Sequence, residues 1–107
     1  MTAEEVLALI KASEKRFYCY ILSRPDGRPF YVGSGKGKRV FAHEFDARRG
    51  YRGHKQSLIR RILKDGEGID YSITEFFEMR EDASAEECRL IALYGRADIG
   101  TGGTTPA

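Results

Sequence analysis

Three residues of this chain carry chemistry by type and spacing. Arg39 and His43 stand four apart in a helical stretch and so share one face. Glu87 lies three, four and seven residues before Leu90, Ile91 and Tyr94, which puts it on the apolar face of its own helix. An inward carboxylate is costly unless it is paired or coordinates a cation. A guanidinium grips a phosphate in bidentate fashion, in a way that lysine cannot copy. An imidazole moves protons or contacts phosphate. By type these residues can serve phosphate or metal-ion chemistry, and each member also has a plain structural reading. Glu87 can be a salt-bridge partner of Arg39 or another cation, Arg39 can be surface charge, and a single helical histidine can be structural.

The elements that must position them begin with the stretch YCYILSRPDGRPFYVGSGKGKRVFAH, residues 18–43. PDG between two β-type runs is a turn signal, since proline presets φ, aspartate bonds its own backbone and glycine tolerates positive φ. A hairpin of residues 16–23 and 29–33 follows. Tyr18, Tyr20 and Leu22 then alternate against Phe17, Cys19 and Ile21, with Tyr31 and Gly33 opposed to Phe30 and Val32. GSGKG reads as a flexible, donor-rich segment, and its spacing is not that of a P-loop, because Lys38 stands where the second glycine belongs.

A helix is predicted from about Lys38 to Arg48 and a second from His54, with Leu58, Ile59, Ile62 and Leu63 as its apolar stripe and Lys55, Arg60, Arg61 and Lys64 solvated. Residues 69–79 read as a third strand. Ser84 is the predicted cap of a last helix, with Glu86 and Glu87 in its first turn, where they suit the helix dipole. At the other end, Thr2 and Glu5 have capping-box spacing for an N-terminal helix over residues 2–12. The tail 96–107 is glycine-rich and reads as loop. The expected architecture is one domain over 1–107: α+β, a small three-stranded antiparallel sheet flanked by helices.

Composition narrows the partners. Residues 35–64 hold ten Lys/Arg against Glu44 and Asp46, a local charge of +8 on a chain whose remainder is −6. A concentrated basic block fits a polyanion, and a solvated basic face is its structural alternative. No apolar run approaches the ~20 residues of a membrane span. The acidic start lacks the pattern of a signal peptide, so a cytoplasmic or nuclear compartment is the expectation. Cys19 and Cys88 have no metal-ligand spacing, and both are expected to be reduced and packed as small apolar side chains.

In their order, these residues resemble the GIY-YIG nuclease superfamily. Cys19-Tyr20 stands for its "IY", Tyr31-Val32-Gly33 for its "YIG", Arg39 for its helical arginine, His43 for the histidine that follows, and Glu87, in ECRLI, for its glutamate. The resemblance covers roughly residues 16–103. The stretch LYGRADIGTG is similar to the branch of animal LEM-domain nucleases and related bacterial and phage proteins. Members usually follow it with an asparagine, and this sequence contains none.

The resemblance implies a catalytic set of Tyr20, Tyr31, Arg39, His43 and Glu87. Glu87 would ligate Mg2+ or Mn2+, and Arg39 would hold the scissile phosphate. Tyr20 would be the general base, a role for which a phenol of pKa near 10 needs help from a cation. Tyr31 would position a neighbour or the attacking water, while His43 would orient Tyr20, relay its proton or touch phosphate. Gly33 would let substrate approach the backbone. Lys36, Lys38, Arg48, Arg49, Arg52, His54, Lys55, Arg60 and Arg61 would hold the DNA. The expected function is metal-dependent DNA endonuclease activity, structure-guided or weakly sequence-specific, with a possible protein partner choosing the target. The alternatives are a non-catalytic nucleic-acid-binding domain on the same fold and a module whose basic face meets an acidic protein.

Overall fold

The computed structural model describes residues 1–94. The tail 96–107, and with it most of the LYGRADIGTG stretch, lies outside the described residues. In chain order the elements are α1 (Ala3–Ala12), β1 (Phe17–Ser23) and β2 (Pro29–Lys36), then a short 3-10 turn (Arg39–Phe41) leading into α2 (Ala42–Arg48), and finally α3 (His54–Lys64), β3 (Asp70–Phe77) and α4 (Arg80–Tyr94). The sheet is antiparallel throughout, in the order β2-β1-β3. The chain is thus α+β with the expected sheet, and no described helix is long and apolar enough to cross a membrane.

Because β1 is central, both of its faces are buried. Tyr18, Tyr20 and Leu22 pack with Val6 of α1, Ala47 of α2 and Ile59 and Ile62 of α3. Cys19 and Ile21 pack on the other side with Val32 and with Ala83, Leu90 and Ile91 of α4. Three helices therefore cover one face and a single helix the other. The capping box forms as expected, Thr2 accepting from the Glu5 N–H while Glu5 accepts from the Thr2 N–H. Just ahead of it, Tyr71 N–H donates to Met1 O at 2.9 Å and the terminal amine pairs with Asp70, fastening the start of the chain to β3.

Four expectations change. Phe30 joins the Tyr20 face and not that of Val32, because the register shifts between Leu22 and Ser23: Tyr31 faces Leu22, Pro29 faces Ser23, and Phe30 is the extra residue of a bulge. GSGK is not a flexible segment. Ser34, Gly35 and Lys36 continue β2 opposite Cys19, Tyr18 and Phe17, which satisfies backbone groups that a loop would leave open. The last helix starts at Arg80, so Glu81 and Asp82, not Glu86 and Glu87, occupy its first turn. Nothing in EDASAEE breaks a helix, and the earlier start moves Glu87 to mid-helix. Cys19 is buried as expected, but Cys88 is exposed, and both are free thiols.

A second bulge, between Cys19 and Tyr20, explains why residues 69–79 alternate only in part. Glu75 faces Cys19 and Ile73 faces Tyr20, leaving Thr74 extra. Tyr71, Ile73 and Phe76 consequently share one core, while Phe77 turns to the other.

Candidate active site

The site grows from the pairing of Tyr20 with Gly33 across β1 and β2. The Tyr20 ring lies over the glycine so closely that an added Cβ would stand 2.5 Å from its hydroxyl oxygen. Gly33 is itself buried. Its lack of a side chain therefore serves the tyrosine, whereas the sequence suggested an approach for substrate. Gly33→Ala is expected to displace Tyr20 from its pocket at a cost of about 1–3 kcal/mol, the usual range for overpacking. Urea denaturation measures it, and an unchanged midpoint would contradict the packing described.

Held there, Tyr20 meets His43 on α2: the hydroxyl oxygen is 2.5 Å from Nε2, and the pair is buried. Tyr31 completes an aromatic trio, its ring 4.5 Å from that of His43 and 6.2 Å from that of Tyr20. Lys55, from the first turn of α3, places its ammonium 4.3 Å above the Tyr31 ring. Three of the five expected residues thus converge, and a lysine expected on the solvated face stands half-buried beside them.

Arg39 is delivered by a different device. Tyr18 donates its hydroxyl to Gly37 O at 2.6 Å and accepts from Val40 N–H at 3.2 Å, pinning the turn on both sides of the arginine. The stem of Arg39 lies on Gly35, where a Cβ would approach its Cγ to 2.5 Å. Its guanidinium is exposed and makes no ion pair among the described residues.

Glu87 is half-buried and accepts a hydrogen bond from Ser34 Oγ at 2.6 Å. It has no salt bridge to Arg39 or to any other described cation. Ser34 and Arg39 both line a cleft of about 370 Å³, with Phe17, Lys36, Arg80 and Ser84 on its other walls. Among the described residues no carboxylate lines that cleft, and three cations do.

The ionisation states follow from burial. Burial drives the Tyr20 phenol far above its usual range, with Tyr31 adding to the effect and the charge of Arg39 opposing it. Tyr31 is raised by burial and then by Glu87, again against Arg39. Burial lowers His43 to about 3, helped by the charges of Lys55 and Arg39. The same two causes, burial and Arg39, lower Lys55. Burial also raises the Glu87 carboxyl, and the Ser34 hydrogen bond resists that rise. The influence of Arg39 on Tyr20, Tyr31, His43 and Lys55 marks these groups as one electrostatic unit. In it, Tyr20 and His43 are a neutral pair.

The pair has a consequence for stability. His43 titrates near 6.5 when unfolded and near 3 when folded. As pH falls below about 6.5 the unfolded chain binds a proton that the native state refuses, so folding stability is lost across that window. His43→Gln is expected to flatten the decline between pH 7 and pH 4, measured by urea unfolding at a series of pH values. Parallel profiles would contradict the assignment.

The rest of the basic block divides. Lys36, Lys38, Arg52, His54 and Arg61 are exposed. Arg48 is exposed and paired with Glu44 at 3.1 Å, and Arg49 leans on two aromatic rings. Arg60 is a structural clamp: its Nη1 donates to Ala47 O at 3.2 Å and Tyr51 O at 2.7 Å, tying α3 to the turn after α2. The sequence reading gave no role to Tyr18, Ser34, Arg80 and Ser84 in this region. Tyr18 had a usable signal, since it shares a strand face with Tyr20.

Among the described residues no three His, Cys, Asp or Glu side chains cluster as a metal site. A cation here would have Glu87 as its one protein carboxylate, with the Ser34 hydroxyl beside it. Magnesium suits such a donor set, since it keeps several waters and often takes one or two carboxylates together with substrate phosphate. Comparison with protein-family models, curated proteins and solved structures gives no significant match.

Proposed function

We propose that this domain is a metal-dependent endonuclease of the GIY-YIG type, hydrolysing phosphodiester bonds in DNA within a cytoplasmic or nuclear compartment. The observation that supports it best is a division of labour around one region. Among the described residues, a neutral, buried Tyr20–His43 pair feels the charge of Arg39, which makes no ion pair, and the half-buried Glu87 has the Ser34 hydroxyl as its one hydrogen-bond partner.

In this reading Glu87 holds Mg2+ or Mn2+, which when bound would neutralise phosphoryl charge and stabilise the departing oxygen. Arg39 grips two non-bridging oxygens of the scissile phosphate, its stem aimed by Gly35 and its turn held by Tyr18. Water attacks phosphorus and gives its proton to the Tyr20 oxygen as the phenolic proton passes to His43 Nε2. That relay requires the tautomer in which Nε2 is bare and Nδ1 carries the hydrogen. It also requires a more basic imidazole than that of the free domain. The anionic phosphate works in that direction by offsetting the charges of Lys55 and Arg39, which depress His43 in addition to its burial. The transfer then ends with His43 protonated, and the proton returns to solvent.

The cleft lined by Lys36, Arg39 and Arg80 takes the backbone beside the scissile phosphate, and a partner protein can direct the target. The test is an end-labelled duplex incubated with Mg2+ or Mn2+ and, separately, with chelator. Fragments in the metal arms alone are expected. Salt-sensitive binding without fragments in any arm would favour a non-catalytic binding domain instead.

A further inference from the structure

The exposed side of α2 and the turn that joins it to α3 each carry a large aromatic side chain that the core does not use, Phe45 on the helix and Tyr51 on the turn. Phe45 is 58% exposed and Tyr51 is 50% exposed. The Arg49 guanidinium stands 5.4 Å from the first ring and 5.5 Å from the second. Arg48, paired with Glu44, lies between the two rings in sequence and Arg52 follows Tyr51, all inside the +8 block.

The segment that presents these rings is held at many points. Arg49 N–H donates to Phe45 O, Gly50 N–H to Ala47 O and Tyr51 N–H to Asp46 O, each at 3.1 Å. Gly50 adopts a φ of 87°, which lets the chain turn out of the helix without strain. The Arg60 guanidinium then bonds both Ala47 O and Tyr51 O, and also Ser57 Oγ at 3.3 Å. The rings are thus displayed on a fixed backbone, the arrangement in which a ligand loses least to ordering its site.

We infer that Phe45, Arg49 and Tyr51 form a stacking site for unpaired bases of single-stranded nucleic acid. The inference rests on the nucleic-acid reading above and adds a substrate feature to it. Every base has a π-face and a backbone phosphate, and this patch offers aromatic faces, a planar guanidinium and clustered positive charge. A base inside a continuous duplex has its faces covered by its neighbours and gains nothing from the rings. The complementary charge selects an anionic occupant, and the exposed rings select one whose bases are open.

The test uses fluorescence anisotropy in the presence of chelator, so that no cleavage intervenes. Labelled oligothymidylate, oligouridylate and a blunt duplex are titrated with wild type, Phe45→Ala, Tyr51→Ala and Phe45→Trp. Each alanine variant is expected to weaken single-strand binding about 5- to 100-fold, the usual range for one stacking platform. Duplex affinity should stay within about twofold, and Phe45→Trp should retain binding because it keeps a stacking surface. The two single strands report whether DNA or RNA is preferred. Thermal melts confirm folding, which substitution of such exposed rings should leave intact. Single-strand binding that the alanine variants do not alter would overturn this inference, as would an equal loss for duplex, and both leave the proposed function standing. Failure to bind any of the three probes would overturn both.

Discussion

Glu87→Ala is expected to abolish phosphodiester cleavage while leaving DNA affinity within a few-fold of wild type. Glu87 is a half-buried carboxylate whose bond from Ser34 is its one hydrogen bond among the described residues, and no positive side chain pairs with it. Burial raises its pKa against the Ser34 hydrogen bond, and a divalent cation would favour the ionised form. Removing the carboxylate removes the one that the described residues would offer a cation there. A loss of about 10²–10³-fold or more is expected, as when a preorganised electrostatic group at the reacting centre is deleted. In the proposed reading DNA would be held by other groups, chiefly the exposed Lys and Arg of residues 36–61, so affinity should persist. Stability should change little or rise, since an unpaired half-buried charge is gone. Paired cleavage and anisotropy titrations measure both quantities, and retained cleavage would remove Glu87 from the mechanism.

Tyr20→Phe is expected to lower the cleavage rate by about 10²–10⁴-fold, the range associated with loss of a positioned general base. The ring would still pack on Gly33 and among Tyr18, Tyr31 and His43, so the fold should survive. What disappears is the hydroxyl facing His43 Nε2. A buried imidazole nitrogen left without its partner costs about 1–3 kcal/mol, visible as a lower unfolding midpoint. The signature separating a chemical from a merely structural role is kinetic. Single-turnover cleavage at saturating protein should fall while DNA affinity stays constant. Equal cleavage rates in that regime would show that the phenol takes no part in the chemistry.

Much of this site was legible in the sequence, and the reasons are local. Alternation puts Tyr20 with Tyr18 and Leu22, and Tyr31 with Gly33, and the pairing of Tyr20 with Gly33 and Leu22 with Tyr31 then brings the two tyrosines to one face. Spacing puts Arg39 and His43 on one helical face, whereas Arg39 opens a 3-10 turn and is exposed and His43 is buried in α2; Glu87 is legible because it stands three, four and seven residues before apolar partners. The same stripe argument applied to Lys55, which precedes Leu58, Ile59 and Ile62 by those intervals, points into the site. Reading every lysine of α3 as solvated obscured it, although a long stem can follow an apolar stripe and bring its charge to a ring.

Other features had no local signal. The bulges at Phe30 and Thr74 arise from how three strands settle against one another, and alternation within one strand cannot reveal them. The extension of β2 through Ser34–Lys36 depends on β1 having unpaired residues opposite. Ser34 is thereby placed against Glu87, although 53 residues separate the two in sequence. The start of α4 was misplaced because Ser84 has cap chemistry, yet nothing ahead of it interrupts the helix. Arg60 looked like any surface arginine until the turn it clamps was in place.

The most direct test of the central claim is nicking of supercoiled plasmid, with wild type and Glu87→Ala assayed side by side in Mg2+, Mn2+ and chelator. Conversion to open circle by wild type in the metal arms alone, absent in the variant, is the predicted result. No nicking by folded wild-type protein that binds the plasmid, or nicking that survives chelation or loss of Glu87, would contradict it.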